Sequence, residues 1–470
     1  MNKDVCRINA RLGMFSCYEG AASAYTYDHS AQTYRLSANS SCAPWLYVKL
    51  AGDFIINTQL RALAAATSAG LELRSSNHCW QLALNAQGLA ELVISHVDGT
   101  QLSCSDLGAA DVLQVERKGN QLVFSYAQFG DCLSSLALDL LPLDETEAAL
   151  AIGLYVRTDT HACSVDFYNL RLSIPAWEGL VPYTDYIGSH LEILDVATGA
   201  RQIVYSTSAG IEAPNWTPDG RTLIYNSAGR LFSFDLATQT VSALDTGFAL
   251  KNNNDHVLSF DGQQLAISHH SAEHQGKSII YKLPASGGAP VQLTSQGPSY
   301  LHGWSPDNQF VIYTAERNGQ FDIYRTDTQG SGVEIQLTNQ PALDDGSEYS
   351  PDGLYIYFNS ARTGTMQLWR MNADGSAPTQ LTFDDYQNWF PHVSPDGQCL
   401  VFLSYLPEMQ ADKHPYYQHV YLRSLSLKED AAEPQVIAYI YGGQGTINVP
   451  SWSPDSSRVA FVSNTCLAVD

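Results

Sequence analysis

The feature that most constrains the fold is a short turn that recurs six times in the second half of the chain. The copies are TPDG at Thr217, SFDG at Ser259, SPDN at Ser305, SPDG at Ser350, SPDG at Ser394 and SPDS at Ser453, which lie 42, 46, 45, 44 and 59 residues apart. Each copy is followed by a run rich in β-branched and aromatic residues, a second such run, a polar turn with glycine and a short edge segment. Four strands in a repeat of this length are typical of a β-propeller blade.

The two ends of the repeat region complement each other. The last repeat stops after its second strand, near Asn464, whereas residues 191–207 supply a third and a fourth strand ahead of the first repeat. Joining the two pairs completes a blade and leaves no open sheet edge, which would otherwise promote aggregation. We therefore predict a six-bladed β-propeller over residues 186–470, with 2+2 strand closure.

The first part of the chain has a different pattern. Segments such as "LYVKLAGDFIINTQL" and "VLQVERKGNQLVFSYAQ" alternate apolar with polar residues and are bounded by Gly, Asn, Asp and Ser. This pattern predicts an all-β sandwich over residues 1–175, followed by a linker over residues 176–185. The strand order resembles concanavalin-like jelly-roll domains, which often bind or process carbohydrate, although a purely structural packing role is an open alternative.

The composition disfavours some classes of partner. With 25 basic and 48 acidic residues, the formal charge is -23, which repels nucleic acid and anionic membranes. No segment approaches the roughly 18 continuous apolar residues of a membrane span, and the first residues lack the apolar run of a signal peptide. Nine cysteines without a CxxC or zinc spacing fit reduced thiols. We expect a cytoplasmic protein, and the sequence leaves the oligomeric state open.

Turn geometry explains the Pro, Asp and Gly of the repeated turn, but not the polar residues ahead of it. Those residues enter the first strand of each blade, so we expect them at one common end of the central channel, here called the mouth. Eight of the 13 histidines fall on this side. Polar and ionisable side chains from several blades that converge on one concavity are typical of a binding site.

Three roles are expected for these side chains. Catalytic roles are expected for His256, His302, Glu348, Asp255, Arg317 and Arg362. Substrate contacts are expected from Glu212, Asn215, Trp389 and Asn448, with Trp389 stacking on a sugar ring. Metal ligation is expected from His392, Gln387, His302 and His256. Imidazole suits a general base near neutral pH, and arginine or a metal suits an electrophile. Hydrogen bonding between neighbouring blades is the alternative role for each of them.

The spacing to the turn divides the candidates into two groups. His256 and His302 stand three residues before their turns, whereas Glu348 and His392 stand two residues before theirs. Because side chains alternate along a strand, strict alternation would place the two groups on opposite faces.

The repeats resemble a known family in several longer phrases. "LHGWSPD", "DDGSEYSPDG" and "GGQGTINVPSWSPDS" are similar to the TolB-like propellers, and in particular to a bacterial subgroup that pairs such a propeller with a concanavalin-like domain. TolB itself is periplasmic, with a signal peptide and its own N-terminal domain. The sequence shows neither feature, so the translocation role of TolB is not expected here.

A more distant resemblance concerns chemistry. Oligogalacturonate lyases are cytoplasmic propellers that hold a divalent metal, typically manganese, through a Gln-x-x-His-x-His motif before a blade turn. Gln387 and His392 match the first and last positions of that motif, but Phe390 stands at the middle histidine. The resemblance implies a divalent metal, Mn or Zn, with His256, His302 or Asp255 as substitute ligands.

These observations lead to one expectation and two alternatives. We expect a carbohydrate-active protein that acts on a small glycoside or oligosaccharide at the mouth, by a metal-assisted lyase step or by hydrolysis. The first alternative is a non-catalytic module that binds a glycan or a protein. The second is a scaffold whose channel holds only water.

Overall fold

The computed structural model describes residues 14–20, 24–60, 68–139, 149–159, 161–181, 183–428 and 432–466. The chain forms two compact units, the first of Met1–Trp177 with Thr465–Asp470 and the second of Glu178–Asn464. Almost all regular structure is β-strand, with one 3₁₀ turn at Ala272–His274. Within these residues, no helix has the length and apolar character needed to cross a membrane. The predicted all-β fold class is confirmed.

The first unit consists of two seven-stranded antiparallel sheets that share one hydrophobic core. Its strands are β1 Cys17–Glu19, β2 Tyr25–Asp28, β3 Thr33–Ala38, β4 Trp45–Ala51, β5 Phe54–Leu60, β6 Ser68–Arg74, β7 His78–Asn85, β8 Leu89–His96, β9 Gln101–Ala109, β10 Val112–Lys118, β11 Gln121–Ala127, β12 Ser134–Asp139, β13 Ala149–Arg157 and β14 Cys163–Ser173. The sheet orders are β1-β4-β13-β6-β7-β8-β9 and β12-β11-β10-β5-β14-β3-β2. The likeness of this unit to concanavalin-like domains stays a prediction.

The second unit contains five complete blades of four antiparallel strands. Blades 1 and 2 comprise β17 Glu212–Trp216, β18 Thr222–Ser227, β19 Arg230–Asp235, β20 Thr240–Ala243, β21 Asn252–Leu258, β22 Gln264–His270, β23 Ser278–Pro284 and β24 Val291–Gln292. Blades 3 and 4 comprise β25 Ser299–Trp304, β26 Phe310–Arg317, β27 Gln320–Asp327, β28 Glu334–Gln336, β29 Asp344–Tyr349, β30 Tyr355–Ser360, β31 Gln367–Asn372 and β32 Thr379–Gln380. Blade 5 comprises β33 Gln387–Val393, β34 Cys399–Tyr405, β35 Gln418–Ser426 and β36 Gln435–Gly442.

The sixth blade joins distant parts of the chain. It contains β15 Gly188–Asp195 and β16 Arg201–Thr207, with β37 Arg458–Thr465 paired to β15. An isolated bridge between Trp452 and Val459 takes the place of the innermost strand. The predicted six blades and 2+2 closure are therefore confirmed, although the innermost strand is reduced to that bridge.

The repeated turns have the geometric role expected of them. In every copy the hydroxyl of the first residue donates to the aspartate two positions later, at 2.5–2.6 Å. In five of the copies these bonds hold the pKa of the aspartate below its usual value. The turns connect the first and second strands of each blade at the end of the propeller opposite the mouth.

The first strands of blades 1 to 5 share an irregularity that determines where their side chains point. Each has a register shift ahead of its turn, as between Asn252 and His256 or between Asp345 and Glu348. Ala213, Gly346 and Phe390 adopt positive φ values of 54°, 62° and 55° within or beside these shifts. A β-bulge of this kind re-aims side chains. Simple alternation therefore does not decide which candidates face the channel.

Candidate active site

The centre of the candidate site is an ion pair between blades 3 and 4. Nε2 of His302 lies 2.8 Å from Oδ1 of Asp345, and both residues are buried. Burial disfavours a charge on either group, but their mutual attraction and hydrogen bond outweigh it. As a result, the pKa of His302 is raised and that of Asp345 falls to about 2. Each member of the pair therefore favours the charged form of the other.

A second histidine–carboxylate pair joins blades 4 and 5. Nδ1 of His392 lies 2.7 Å from Oε2 of Glu348, whose other oxygen accepts from the Val393 amide at 3.2 Å. Nε2 of His392 faces the Ile447 carbonyl. Burial raises the pKa of Glu348 against the opposing effects of His392, the Val393 amide and His302. Glu348 thus interacts with the histidines of both pairs.

Two further carboxyls titrate near neutral pH. Burial raises the pKa of Asp255 to about 7, with a further increase from Asp345 and a partial reduction by His302 and by the Asn253 amide, 2.5 Å away. Burial also raises the pKa of Glu212 to about 7, and the charge of Asp255 adds to the effect. The two carboxyls therefore interact and can each gain or lose a proton near pH 7.

Tyrosine side chains surround these carboxyls. The rings of Tyr183 and Tyr186 lie edge-on to Tyr416, with centroids 5.2 and 6.3 Å away. Burial, followed by the charge of Glu212, raises the pKa of Tyr186 to about 12. Burial, then the charges of Asp255 and Asp345, raise the pKa of Tyr300 to about 12. We call Tyr183, Tyr186, Tyr300 and Tyr416 the tyrosine rim.

A long connection in blade 5, residues 406–417, covers part of this site. The Tyr416 hydroxyl donates to Oε1 of Glu212 at 2.6 Å. Nδ1 of His414 lies 2.5 Å from Oε1 of Gln444, and its ring lies against Trp389 with a centroid distance of 4.4 Å. Burial lowers the pKa of His414. The sequence predicts a lid or a substrate wall in this region, and its contact with Glu212 suits either role.

Several predicted residues are instead engaged with the protein scaffold. Arg317 bonds to Glu334 with its Nε and Nη2 atoms, at 2.8 and 2.5 Å, and to backbone carbonyls with its other donors. Arg362 forms a bidentate pair with Asp344, both bonds being 2.9 Å. Each guanidinium directs its hydrogen bonds to carboxylates and carbonyls of its own blade, and the catalytic roles of Arg317 and Arg362 stay predictions.

The predicted amides also hold the scaffold together. Asn215 donates to the Pro450 carbonyl at 2.5 Å and accepts from the Leu258 amide at 3.3 Å. Asn448 accepts from the Gly445 amide at 2.7 Å and donates to Gln444 at 3.1 Å. These bonds connect blade 1 with its neighbours and fix the loop that enters blade 6.

Trp389 requires a correction. Its side chain is fully buried, with an exposed fraction of 0%, and packs against Phe390 and His414. No ring face is left for a sugar, so the predicted stacking by Trp389 is wrong.

Sequence reasoning missed the tyrosine rim, because its members lie in loops or at strand ends without a shared motif.

Comparison with known proteins identifies the propeller. A family model described as the TolB beta propeller domain matches residues 180–335 and 303–414. The chain belongs to the TolB-like propeller family. An uncharacterized protein of Agrobacterium fabrum is 44% identical over 275 residues, which are 58% of this chain and 92% of that protein.

A solved structure shows the same fold. A structure from Agrobacterium tumefaciens, provisionally assigned as TolB, is 43% identical and has a TM-score of 0.56, over 60% of this chain and 99% of that one. A manganese complex of oligogalacturonate lyase is 13% identical with a TM-score of 0.37, over 60% of this chain and 98% of that one. A similarity at this level says nothing about chemistry.

The residues of this TolB-like propeller do not fit the expected metal. His256 has Asn254 and Ile224 carbonyls 2.9 and 3.2 Å from its two ring nitrogens, and burial lowers its pKa to about 4. Oε1 of Gln387 accepts from the Met366 amide at 2.8 Å. Among the described residues, no three His, Cys, Asp or Glu side chains are grouped as metal ligands. We therefore route no chemical step through a metal.

A separate groove of about 560 Å³ opens on the turn side, between blades 5 and 6. Ser394, Asp396, Cys399 and Lys428 are among its lining residues. Burial raises the pKa of the Cys399 thiol to about 11, so this thiol is a poor nucleophile at neutral pH. We place the candidate site at the mouth, where interacting acids and bases converge.

Proposed function

We propose that this TolB-like protein acts on a small glycoside or oligosaccharide at the mouth of its propeller by acid–base chemistry. One observation carries the proposal: Asp255 and Glu212, two buried carboxyls with a pKa of about 7, interact with each other beside the His302–Asp345 ion pair. Groups with a pKa near the working pH are efficient in proton transfer in either direction. Such strongly shifted groups are concentrated at functional sites.

In a lyase-type step these side chains would have different roles. The ionised carboxyl, Asp255 or Glu212, removes the proton on the carbon beside a carbonyl. The imidazolium of His302, held by Asp345, stabilises the negative charge that develops on the enolate oxygen. When the enolate collapses, a carbon–carbon double bond forms and the glycosidic C–O bond breaks. The protonated carboxyl then gives its proton to the leaving oxygen.

The surroundings favour some saccharides over others. Tyr183 is 67% exposed, so its ring offers a surface on which a sugar could lie. A polyuronate fits poorly, because its carboxylates would be repelled by Glu212 and Asp255 while Arg317 and Arg362 are paired elsewhere. The lyase step needs a carbonyl beside the proton that is removed, so we expect a saccharide in which that carbonyl is a ketone, an aldehyde or an ester rather than a carboxylate.

A substrate screen with matched variants tests the proposal. Purified protein is incubated with a panel of oligosaccharides, and products are followed by mass spectrometry and by the near-ultraviolet absorbance of unsaturated sugars. Asp255→Asn and His302→Asn should each lower turnover by about 10²- to 10⁴-fold, since each removes a proton-transfer or charge-stabilising group. His270→Asn, at an exposed position, serves as the control and should retain turnover. Unchanged turnover in both site variants would refute the assigned roles.

The contact of Tyr416 with Glu212 favours a second candidate, a non-catalytic glycan-binding module. In this structure the Tyr416 hydroxyl already donates to Oε1 of Glu212, and a substrate would have to displace it to contact that oxygen. A binding module predicts saccharide affinity without product from any substrate. Detection of a product that depends on Asp255 would exclude it.

A further inference from the structure

The charges of the mouth are not balanced. Among the described residues, neither Asp255 nor Glu212 forms an ion pair with a lysine or an arginine. The hydrogen bonds that they accept come from neutral donors, the Asn253 amide and the Tyr416 hydroxyl. His302, which acts on Asp255 electrostatically, is itself paired with Asp345. A buried carboxyl is either neutral or paired with a cation, so a positively charged ligand would stabilise the ionised form of Asp255 or Glu212.

The tyrosine rim supplies a second feature that suits a cation. Tyr183, Tyr186 and Tyr416 form one edge-to-face group, and Glu212 acts electrostatically on all three. Tyr300 interacts with Asp255. Aromatic faces attract ammonium groups through the ring quadrupole, and rings beside carboxylates form the common recognition site for such ligands.

A third feature is an unused donor. His302 is 5% exposed, and its Nδ1 has no hydrogen-bond partner among the described residues, while Nε2 is held by Asp345. The Asn448 carbonyl of blade 6 lies near enough to favour protonation of His302, but it does not meet the distance and angle of a hydrogen bond to Nδ1. A buried N–H without an acceptor is unfavourable, and an oxygen of a ligand would satisfy it.

Together these features describe complementary chemistry. The mouth presents carboxyls without a cation and an imidazole N–H without an acceptor. An amino sugar carries an ammonium group next to a hydroxyl and so offers both. We propose that the ligand of the mouth is an amino sugar with a free ammonium group, bound between Asp255 and Glu212 with a hydroxyl at Nδ1 of His302. This inference rests on the proposed function, that the mouth takes a saccharide.

N-acetylation is the decisive chemical change. It removes the positive charge from the sugar and leaves both carboxyls without a partner. A hydrogen bond to a charged group contributes to the binding free energy, and the loss of one such bond reduces the affinity by roughly 10- to 100-fold. Discrimination between the free and the acetylated amine is therefore a direct measure of the proposed contact.

Calorimetric titration of the full chain at pH 7.5 tests the inference with four probes. These are the β-1,4-linked disaccharide of glucosamine, its di-N-acetyl form, the matching glucose disaccharide and a sugar-free diamine. We expect the glucosamine disaccharide to bind at least about tenfold more tightly than the other three, a margin taken from the lower end of the range above. Asp255→Asn combined with Glu212→Gln should abolish the preference. Asp261→Asn, in the turn of blade 2 at the opposite end, is the matched control and should keep it.

Each other outcome has a defined meaning. If the acetylated or the glucose disaccharide binds as tightly as the amine, the ammonium contact is refuted and the saccharide proposal stands. If the diamine alone binds, the amino-sugar proposal and the proposed function both fail, and the mouth is a cation site of another kind. If none of the probes binds, both also fail. Because the comparison among probes uses the unaltered chain, it decides the question even if the double variant does not fold.

Discussion

Replacement of Asp255 by asparagine gives a sharp test of the charge state of the mouth. The asparagine side chain has nearly the same shape, can still accept from the Asn253 amide and carries no charge. Because Asp255 is 3% exposed, the ionised carboxylate is poorly solvated in the folded protein. We therefore expect Asp255→Asn to stabilise the protein at neutral and alkaline pH, whereas most core substitutions destabilise.

The magnitude follows from the two pKa values. Folding raises the pKa of Asp255 from 3.8 to about 7. Between these values the folded protein holds a proton that the unfolded chain has released, so the free energy of unfolding falls by about 1.4 kcal/mol per pH unit. The accumulated loss at pH 7 and above is at most about 4 kcal/mol. The Asp255→Asn variant has no carboxyl at this position and suffers no such loss, so it should gain up to that amount at pH 8 and little at pH 4.

Urea unfolding at intervals from pH 4 to pH 8, followed by tryptophan fluorescence, measures the difference between variant and wild type. Folding also raises the pKa of Glu212, and this residue is unchanged in the variant. The free energy of unfolding of the variant should therefore still fall with pH, but with a smaller slope. Asp261→Asn is the control with the opposite sign. The Ser259 hydroxyl lowers the pKa of Asp261, so this carboxylate stabilises the protein above its unfolded pKa and loses that effect as the pH falls. A difference between Asp255→Asn and wild type that stays constant from pH 4 to pH 8 would refute the neutral pKa and, with it, the acid–base assignment.

Three further predictions follow from the same contacts. Asp345→Asn should lower the pKa of His302, because burial then acts without the opposing carboxylate. An NMR titration of the histidine resonances measures the shift, and a titration identical to that of the wild type would contradict the ion pair. Arg362→Met should destabilise the protein by about 3 kcal/mol in urea unfolding, since Asp344 is left buried and unpaired, and the double change with Asp344→Asn should restore part of the loss. Gly346→Ala should lower the melting temperature, because φ is 62° and the added methyl group would clash with Oδ1 of Asn359; a variant as stable as the wild type would exclude strain at this bulge.

The repeat predicts the architecture well because each turn is a local structure with its own hydrogen bonds. Ser259 and Asp261, for example, need no distant partner to form the turn. Closure is predictable for a related reason, as two incomplete blades with exposed edges are unfavourable unless they join. The position of a residue ahead of its turn is informative as well, since Asp255 and His302, both predicted at the mouth, interact electrostatically; their catalytic roles stay predictions.

The pairing within the site cannot be predicted in the same way. The sequence predicts that Glu348 acts at the mouth, but His302 pairs with Asp345, three residues earlier in the same strand. The bulge between these two acidic residues changes which side chain faces the neighbouring blade, and only Gly346 gives a hint of it in the sequence. The pairing of Arg317 with Glu334 on the outer strand of the blade is not predictable either, because sequence spacing does not show which carboxylate a long side chain reaches.

The sixth blade has a consequence for how the site forms during synthesis. Strand β37 pairs with β15, although all five complete blades lie between them in the chain. The Ala213 amide, next to Glu212, donates to the Gly445 carbonyl in the segment that leads into this last blade. Domains fold as units while the chain emerges from the ribosome, so blades 1 to 5 are made before their ring can close. Glu212 and Asp255 would then be enclosed only in the final step, and the candidate site would exist only in chains that have completed the ring.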